Sequence, residues 1–494
     1  MNFYNLFANN FTLIIPEIFL FTVINFLLIY GVLYNTSVYY NYINLVKNIG
    51  WLSIQSLLIT ICLILNNKIS FLLLFNNILI HSYFTIFFKV FILIFSILSI
   101  FVSFNYIKNE KITTFEYQIL TLIVVLGSLF VISANDFLTL YLSIEIISLS
   151  LYILSSYKKY SSLSTEASLK YVILGSFSSG LFLFGVSLIY GFTGTINFND
   201  LIILFFTNDD IYYAIILGLI FLLSSFLFKL GSVPFHMWIP DIYEGIPTSV
   251  TIFLTTVPKI AIFSILTRLC YTSFYNLYNY WQPLLTISAI FSIVLITFVL
   301  ISQKKIKRFL AYSSIVHMGY LLLGISFGTL EGVQASLLYL IIYMINTINI
   351  WTLVISLERV QKTNKIIYLS DLNYIYKTNP LLAFIFAISL FSMAGIPPLA
   401  GFFSKFYIFL AALENGSYFL LFTGILTSVI SAFYYIRIIK SIFFESKNQS
   451  FYLKQLDYKN TIVLMVSTSF LILFIFVLKF FIMLTNFVAL ILIN

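Results

Sequence analysis

The stretch FLFKLGSVPFHMWIPDIYEG, residues 226–245, places a lysine and a proline inside an apolar run that begins near Ile215. The lysine is Lys229, and Pro234 follows it five residues later. An ammonium group in an apolar run is costly, and proline cannot continue the hydrogen bonds of a helix. The pattern predicts a helix that is interrupted beside a charge.

The whole composition is that of an integral membrane protein. Of the 494 residues, 61% are hydrophobic and 9% are charged, whereas charged residues make up about 25% of soluble domains. We predict an all-α polytopic protein with about fourteen transmembrane helices, because apolar runs long enough to cross the hydrocarbon core recur along the chain. The runs lie near residues 11–33, 50–66, 84–106, 117–135, 136–156, 167–191, 213–237, 248–271, 281–301, 309–328, 333–356, 380–412, 417–443 and 461–491.

The connections between the runs are short. The longest, near residues 357–379 and 444–460, cannot form a soluble core. Met1 to Val46 contains no Lys or Arg, so the first run is expected to be a retained span rather than a signal peptide. Cys62 and Cys270 lie in separate runs without a C-x-x-C pair, and the chain has no G-x-G-x-x-G fingerprint. We therefore expect no redox centre, metal or nucleotide site on this chain.

The net charge of +9 follows a membrane topology rather than a nucleic-acid surface. Odd-numbered connections carry the basic residues Lys108, Lys111, Lys158, Lys159, Lys304, Lys305, Lys307, Arg308, Arg359, Lys362, Lys365, Lys377, Lys440, Lys447, Lys454 and Lys459. Even-numbered connections carry Asp136, Asp200, Asp209, Asp210, Glu331 and Glu414, with Lys68 as the basic exception. The positive-inside rule predicts that the odd-numbered connections face the cytoplasm or the mitochondrial matrix.

A few ionisable residues lie inside the apolar runs, where a charge costs roughly 2.5–3.5 kcal/mol or more. They are Glu17, Lys89, Glu145, Lys170, Lys229, Lys259, His317, Lys405 and Lys479. Burial makes the charged form of lysine or glutamate costly, so both can exchange protons near neutral pH. Deeply placed residues of this kind are candidates for a proton relay.

Each candidate also has a structural interpretation. Snorkelling accounts best for Lys89 and Lys479, which lie toward the ends of their runs. Glu17, beside Pro16, fits a helix-dipole role as well as a functional one. Lys170 follows Glu166 by four residues, so a surface ion pair is an alternative to a role in the relay. His236 fits an interfacial, packed histidine and is left out of the relay.

Glu145, Lys229 and Lys259 lie too deep for easy snorkelling, and we predict that they are functional. His317 could be a satisfied core histidine, because Ser313 and Ser314 lie nearby in its helix. Its place in an internal repeat favours a functional role.

Two runs are interrupted beside a lysine. The seventh contains Lys229 and Pro234, and the twelfth contains AGIPPLAGFFSKF with Lys405. Lys229 and Lys405 are 176 residues apart, and Glu145 and His317 are 172 residues apart. Paired interruptions of this kind indicate a transporter with two inverted five-helix repeats.

We predict a peripheral segment 1–110, a first repeat 111–272 (helices 4–8), a second repeat 273–445 (helices 9–13) and a final helix within 446–494.

Four motifs resemble a known family. They are STEASLKYVILGSFSSGLFLFG (164–185), FKLGSVPFHMWIPDIYEGIPTSVT (228–251), KIKRFLAYSSIVHMGY (305–320) and FSMAGIPPLAGFFSKFYIFLAAL (391–413). They resemble the antiporter-like membrane subunits of NADH:ubiquinone reductase, respiratory complex I, in the subunit 2 group of mitochondrial type. The resemblance extends over nearly the whole chain.

The resemblance implies a proton-translocating subunit with no cofactor of its own, while other subunits hold flavin, iron-sulfur clusters and quinone. Glu145 would be the carboxylate that pairs with or releases Lys229. Lys170, Lys259 and His317 would continue a polar axis that ends at Lys405. The implied partners are the small membrane subunit 4L and the antiporter-like subunit 4, in the mitochondrial inner membrane with basic loops facing the matrix.

Two other functions fit the same residues. A subunit of a multi-subunit sodium/proton antiporter shares the fold that the resemblance implies. A purely structural bundle could use the same charges to join helices.

Overall fold

The computed structural model describes residues 3–35, 42–67, 71–110, 114–158, 160–207, 213–357, 366–373, 375–445 and 456–493. These residues form eighteen α-helices and one β-hairpin. The first nine helices are α1 (Phe3–Asn35), α2 (Tyr42–Asn66), α3 (Tyr83–Asn109), α4 (Glu116–Ser133), α5 (Phe137–Ser155), α6 (Ser162–Thr193), α7 (Phe198–Thr207), α8 (Tyr213–Leu230) and α9 (Trp238–Gly245). The others are α10 (Thr248–Tyr271), α11 (Tyr278–Ile301), α12 (Ile306–Ser326), α13 (Leu330–Ser356), α14 (Ile375–Thr378), α15 (Pro380–Ala394), α16 (Ala400–Glu414), α17 (Tyr418–Phe443) and α18 (Tyr458–Ile493). Short 3₁₀ turns lie at Tyr275–Leu277 and Leu369–Leu372.

The predicted polytopic helical architecture is confirmed. Within the described ranges, 13 helices are long and apolar enough to cross a membrane, and each coincides with a predicted run. The remaining predicted run, near 380–412, is divided between α15 and α16. Helices suit the hydrocarbon core because they satisfy every backbone hydrogen bond within one segment.

The topology derived from loop charges stays a prediction. Several of the charges on which it depends lie outside the described residues: Lys68, Lys111, Lys159, Asp209, Asp210, Arg359, Lys362, Lys365, Lys447 and Lys454. The predicted repeat boundaries likewise stay a prediction.

One compact unit consists of Met1–Lys229, Ser249–Tyr278 and Ile491–Asn494. In it, α1, α2, α3 and α4 pack side by side, α5 packs between α4 and α6, and α10 is almost completely buried. The close packing of α4 against α5 depends on Gly127, where a Cβ would meet Ile146, Ile147 and the Ser143 carbonyl at 3.0–3.2 Å.

The second unit consists of Leu230–Thr248 and Asn279–Leu490. Here α13 packs against α12, α15 and α16, and α17 packs against α15 and α16. Helices α12 and α13 are almost completely buried, so side chains on them are held away from the protein surface.

The hairpin was not predicted. Its strands β1 (Phe71–Leu74) and β2 (Leu79–Ser82) pair antiparallel. Phe75, Asn76 and Asn77 all have positive φ, a conformation that asparagine tolerates better than most residues. The Asn77 carbonyl accepts hydrogen bonds from the side-chain amides of Asn135 and Asn197, which tie the hairpin to the start of α5 and α7.

Candidate functional site

Both predicted interruptions are present. Helix α8 ends at Leu230, and Gly231 has φ +77. Helix α15 ends at Ala394, and Gly395 has φ +86, a left-handed cap whose N–H donates to Phe391 O and Ser392 O. Glycine adopts this conformation without a steric cost, so each half-helix ends cleanly at its glycine. Each break therefore leaves carbonyl groups at a helix end beside a lysine.

In the first unit, Lys229 lies in the last turn of α8. The Glu145 carboxylate, in α5, interacts electrostatically with its ammonium. Glu145 Oε2 accepts a hydrogen bond of 3.0 Å from Ser148, whereas Oε1 is buried and has no hydrogen-bond partner among the described residues. No ion pair within 4 Å joins Glu145 and Lys229 in the described part of the chain. The two charges therefore interact electrostatically without forming a direct ion pair.

Lys259 and Lys170 occupy different environments in the same unit. Lys259, directly after Pro258 in α10, is 2% exposed. Lys170 forms an ion pair of 2.8 Å with Glu166, and the two side chains are 42% and 61% exposed. The structure thus realises the surface ion pair at Lys170, and its part in a relay stays a prediction.

In the second unit, the Lys405 ammonium reaches back across the break. Its Nζ donates to the Ala394 carbonyl at 2.8 Å and to Ser431 Oγ at 3.4 Å. It also lies 5.4 Å from the ring centroid of Tyr320, a cation–π contact. Lys405 is 5% exposed, so these groups take the place of water around the ammonium.

His317 stands at the centre of a group of tyrosines. Its Nδ1 is 2.6 Å from the Tyr339 hydroxyl, its Nε2 is 3.3 Å from the Tyr435 hydroxyl, and its ring stacks on Tyr343. His317 and Lys405 line the same small cavity of about 10 Å³, close to the smallest volume that holds one water. The two residues therefore line one cavity, and their roles in a relay stay a prediction.

The tyrosines and one amide network were missed from the sequence. Asn346 donates to Ser392 Oγ at 2.8 Å, and the same oxygen accepts the Gly401 N–H at 3.2 Å. This bridge ties α13 to both halves of the broken helix. The chain has 35 tyrosines, so no sequence signal singles out those that surround His317.

The snorkelling prediction for Lys89 is wrong. Lys89 Nζ lies 2.6 Å from Glu17 Oε1, and the two side chains are 6% and 2% exposed. The position of Lys89 near the start of its span indicated an interfacial group, but Glu17 lies 72 residues earlier and offers a buried partner. Lys479 is exposed. His236 lies in the connection that follows α8 and precedes α9 in the chain, and it is half-buried.

Four charges, two of which were assigned above to the connections, hold two helices together. Arg308, at the start of α12, pairs with Asp241 at 2.9 Å and with Glu244, both in α9. Lys305 also pairs with Glu244. These contacts fix the second half of the first broken helix to the helix that contains His317.

The fold and the buried charges define a class: a polytopic helical membrane protein with interrupted helices and buried lysines. Residues 134–431 match the family described as NADH:quinone oxidoreductase/Mrp antiporter, transmembrane.

Several curated proteins are similar to the chain. It is 43% identical to the NADH-ubiquinone oxidoreductase chain 2 of Marchantia polymorpha (95% of this chain, 96% of that protein). It is 42% identical to the Arabidopsis thaliana protein of that name (94% and 93%). It is 43% identical to the NADH-quinone oxidoreductase subunit N of Paramagnetospirillum magneticum (80% and 81%). The chain belongs to the NADH:quinone oxidoreductase/Mrp antiporter family.

Two solved structures share the fold. A chain of respiratory complex I from Thermus thermophilus has a TM-score of 0.78 and 24% identity, covering 94% of this chain and 99% of that one. A chain of the Mrp complex from Dietzia has a TM-score of 0.81 and 18% identity, covering 99% and 97%. At these identities the likeness establishes the fold alone.

Proposed function

We propose that the chain is a proton-translocating membrane-arm subunit of NADH:ubiquinone oxidoreductase, of the chain 2 type. The relatives named above support this assignment over nearly the full length. The observation that carries the mechanism is the arrangement of His317 and Lys405 around one buried cavity. Electron transfer from NADH through flavin and iron-sulfur clusters to ubiquinone takes place on other subunits.

The proposed stroke begins in the first unit. A change at the quinone site alters the distance between Glu145 and Lys229, and so changes how tightly Lys229 holds its proton. A separated Lys229 is a cation without its counter-charge and releases a proton more readily. The proton then passes by Lys259 toward His317 and Lys405, with Lys170 as a further member of the relay.

Lys405 is suited to the last step. Its ammonium is held by one carbonyl, one hydroxyl and one ring, and no carboxylate of the described residues lies within 4 Å of it. Protonation of His317 places a second positive charge at the same cavity, and like charges repel at short range. Arrival of a proton at His317 therefore promotes release from Lys405.

We place the chain in the mitochondrial inner membrane with its basic loops facing the matrix, between the small subunit 4L and the antiporter-like subunit 4. The two broken-helix regions correspond to the inverted repeats 111–272 and 273–445. The relatives support the mitochondrial location, the partners are those that the family resemblance implies, and the loop charges support the orientation.

The test uses the assembled enzyme in proteoliposomes. Lys405→Ala and Lys229→Ala should each lower NADH-driven proton pumping by at least about tenfold. Lys479→Ala is the matched control, because Lys479 is also a lysine in a span but is exposed. Normal pumping by an assembled Lys405→Ala enzyme would refute the role of Lys405 in the relay.

A sodium/proton antiporter is the second candidate. The family description and the likeness to the Mrp chain favour it over unrelated transporters. A sodium gradient imposed without NADH should then change the internal pH of the vesicles. The complex I proposal expects no such change, and expects flavin and NADH-oxidising activity in the native assembly.

A further inference from the structure

A second, larger cavity lies in the unit that contains His317. Its volume is about 260 Å³, enough for several waters at about 30 Å³ each. The lining includes Gln303 and Lys304 before α12, Ser370 before α14, and Arg437 and Ser441 near the end of α17. All of these residues lie on, or next to, odd-numbered connections.

A buried tyrosine forms part of the cavity wall. Tyr434 lines it together with Phe309. Tyr434 is 2% exposed, and its hydroxyl interacts with the Tyr435 hydroxyl but makes no hydrogen bond of regular geometry among the described residues. Buried hydroxyl groups are almost always satisfied by protein or by ordered water. A hydroxyl both donates and accepts, so water entering from the cavity can complete the hydrogen bonds of Tyr434.

The path continues from Tyr434 to His317. The rings of Tyr434 and Tyr435 have centroids 4.6 Å apart, and their phenol groups interact electrostatically. The Tyr435 hydroxyl is 3.3 Å from His317 Nε2. A hydroxyl can accept one proton and donate another, so a tyrosine can pass a proton without a lasting charge. The two tyrosines join the cavity to the histidine.

We propose that this cavity is a water-filled vestibule for proton uptake and that Tyr434 and Tyr435 pass protons from it to His317. A hydronium ion gives its proton to the Tyr434 oxygen as the Tyr434 hydroxyl proton moves to the Tyr435 oxygen. The Tyr435 hydroxyl proton moves to His317 Nε2. Both tyrosines end neutral, water remains in the vestibule, and His317 becomes a cation.

This inference rests on the proposed function, because it gives His317 a second source of protons beside the relay through Lys229 and Lys259. It adds a direct route from the basic-loop side into the second unit, independent of Lys229. Glu445 also lines the vestibule together with Lys304 and Arg437, so its wall carries charged groups of both signs.

The first test removes single hydroxyl groups from the assembled enzyme in proteoliposomes. Tyr434→Phe and Tyr435→Phe keep the packed rings, and each should slow NADH-driven pumping by at least about tenfold. D2O should slow pumping by each variant more than it slows pumping by the unsubstituted enzyme, because proton transfer becomes rate-limiting in the variants. Tyr117→Phe, at a tyrosine 1% exposed in α4, is the burial-matched control. Unchanged pumping in assembled Tyr435→Phe enzyme would overturn the route.

The outcome for Lys405→Ala separates this route from the proposed function. Loss of pumping in Lys405→Ala with normal pumping in both tyrosine variants refutes the vestibule and leaves the relay intact. Normal pumping in Lys405→Ala, Tyr434→Phe and Tyr435→Phe refutes both the relay and the vestibule.

The second test closes the vestibule reversibly. Ser441→Cys provides a thiol at its wall, and a membrane-impermeant sulfonatoethyl methanethiosulfonate adds a bulky charged group there. Pumping should fall severalfold when the reagent is on the side of the basic loops and recover after reduction. Enzyme without the Ser441→Cys substitution, treated with the same reagent, is the control for modification of Cys62 and of thiols on other subunits. Modification from the basic-loop side that leaves pumping unchanged, or closure only from the opposite side, contradicts the proposal.

Discussion

Loss of one partner from the Glu17–Lys89 ion pair should destabilise the protein strongly. Lys89 Nζ and Glu17 Oε1 are 2.6 Å apart, and both side chains are almost inaccessible to solvent. Glu17→Gln or Lys89→Met leaves a buried charge without its counter-charge, which costs about 3–5 kcal/mol. A loss of that size corresponds to a fall of roughly 6–20 °C in the unfolding midpoint of a unit this large.

The same unit supplies a matched control. Glu166 and Lys170 form an ion pair between the same two residue types, but their side chains are 61% and 42% exposed. Exposed pairs contribute about 0–1 kcal/mol. Glu166→Gln or Lys170→Met should therefore shift the midpoint by only a few degrees.

A double variant tests the reason for the effect. Replacing both partners of a buried pair by apolar residues of similar size is often neutral or stabilising, because no isolated charge remains. Glu17→Leu combined with Lys89→Met should thus be more stable than either single variant. The assay is the midpoint of thermal inactivation of the assembled enzyme, with all variants purified at equal yield. The argument would be refuted if the single variants of the Glu17–Lys89 pair lowered the midpoint no more than those of the surface pair. Additive losses of stability in the double variant would refute it as well.

The remaining predictions concern backbone contact, pH and charge. Gly401→Ala should prevent assembly, because its Cβ would overlap the Ser392 carbonyl oxygen, whereas the Cβ of Gly180→Ala meets nothing outside its own stretch of helix within 4 Å and should be tolerated. The amount of assembled enzyme in the membrane measures both. Burial, and secondarily nearby negative charge, raises the pKa of Asp136, just before α5, to about 6 from 3.8. The folded protein therefore binds this proton more tightly than the unfolded chain, and stability from this group falls as pH rises from about 4 to 6. Asp136→Asn should raise the thermal midpoint at pH 8 and leave it unchanged near pH 4. Glu145→Gln keeps the shape of the side chain but removes its charge, so NADH-driven pumping should fall while assembly is preserved.

The sequence predicts the spans well because length and hydrophobicity are direct requirements of the hydrocarbon core. The two interrupted helices are also predictable, since Pro234 and the Pro397–Pro398 pair cannot continue a helix. The hairpin at Phe71–Ser82 is hard to predict although Asn76 and Asn77 supply a turn signal, because each of its strands has only four residues.

The site is predictable only where a residue type is rare. A lysine in an apolar run is conspicuous, so Lys229, Lys259 and Lys405 could be selected from the sequence alone. A tyrosine there is ordinary, so the hydroxyl groups around His317 could not be selected. The environment of Lys89 could not be predicted either, because depth within one span gives no information about a partner on another helix.

The order of lysine and break explains why the two interrupted helices look different in sequence. Lys229 comes before its break, within the last turn of α8, whereas Lys405 comes after its break, in α16. The structure nevertheless places both lysines beside the C-terminal end of a helix. The C-terminal end of a helix carries a partial negative charge, and unsatisfied carbonyl groups point away from it. Lys229 lies at that end of α8, and Lys405 binds the carbonyl of Ala394, the last residue of α15. Each break therefore creates a helix end at membrane depth, and that end is what stabilises an ammonium where lipid alone would exclude it.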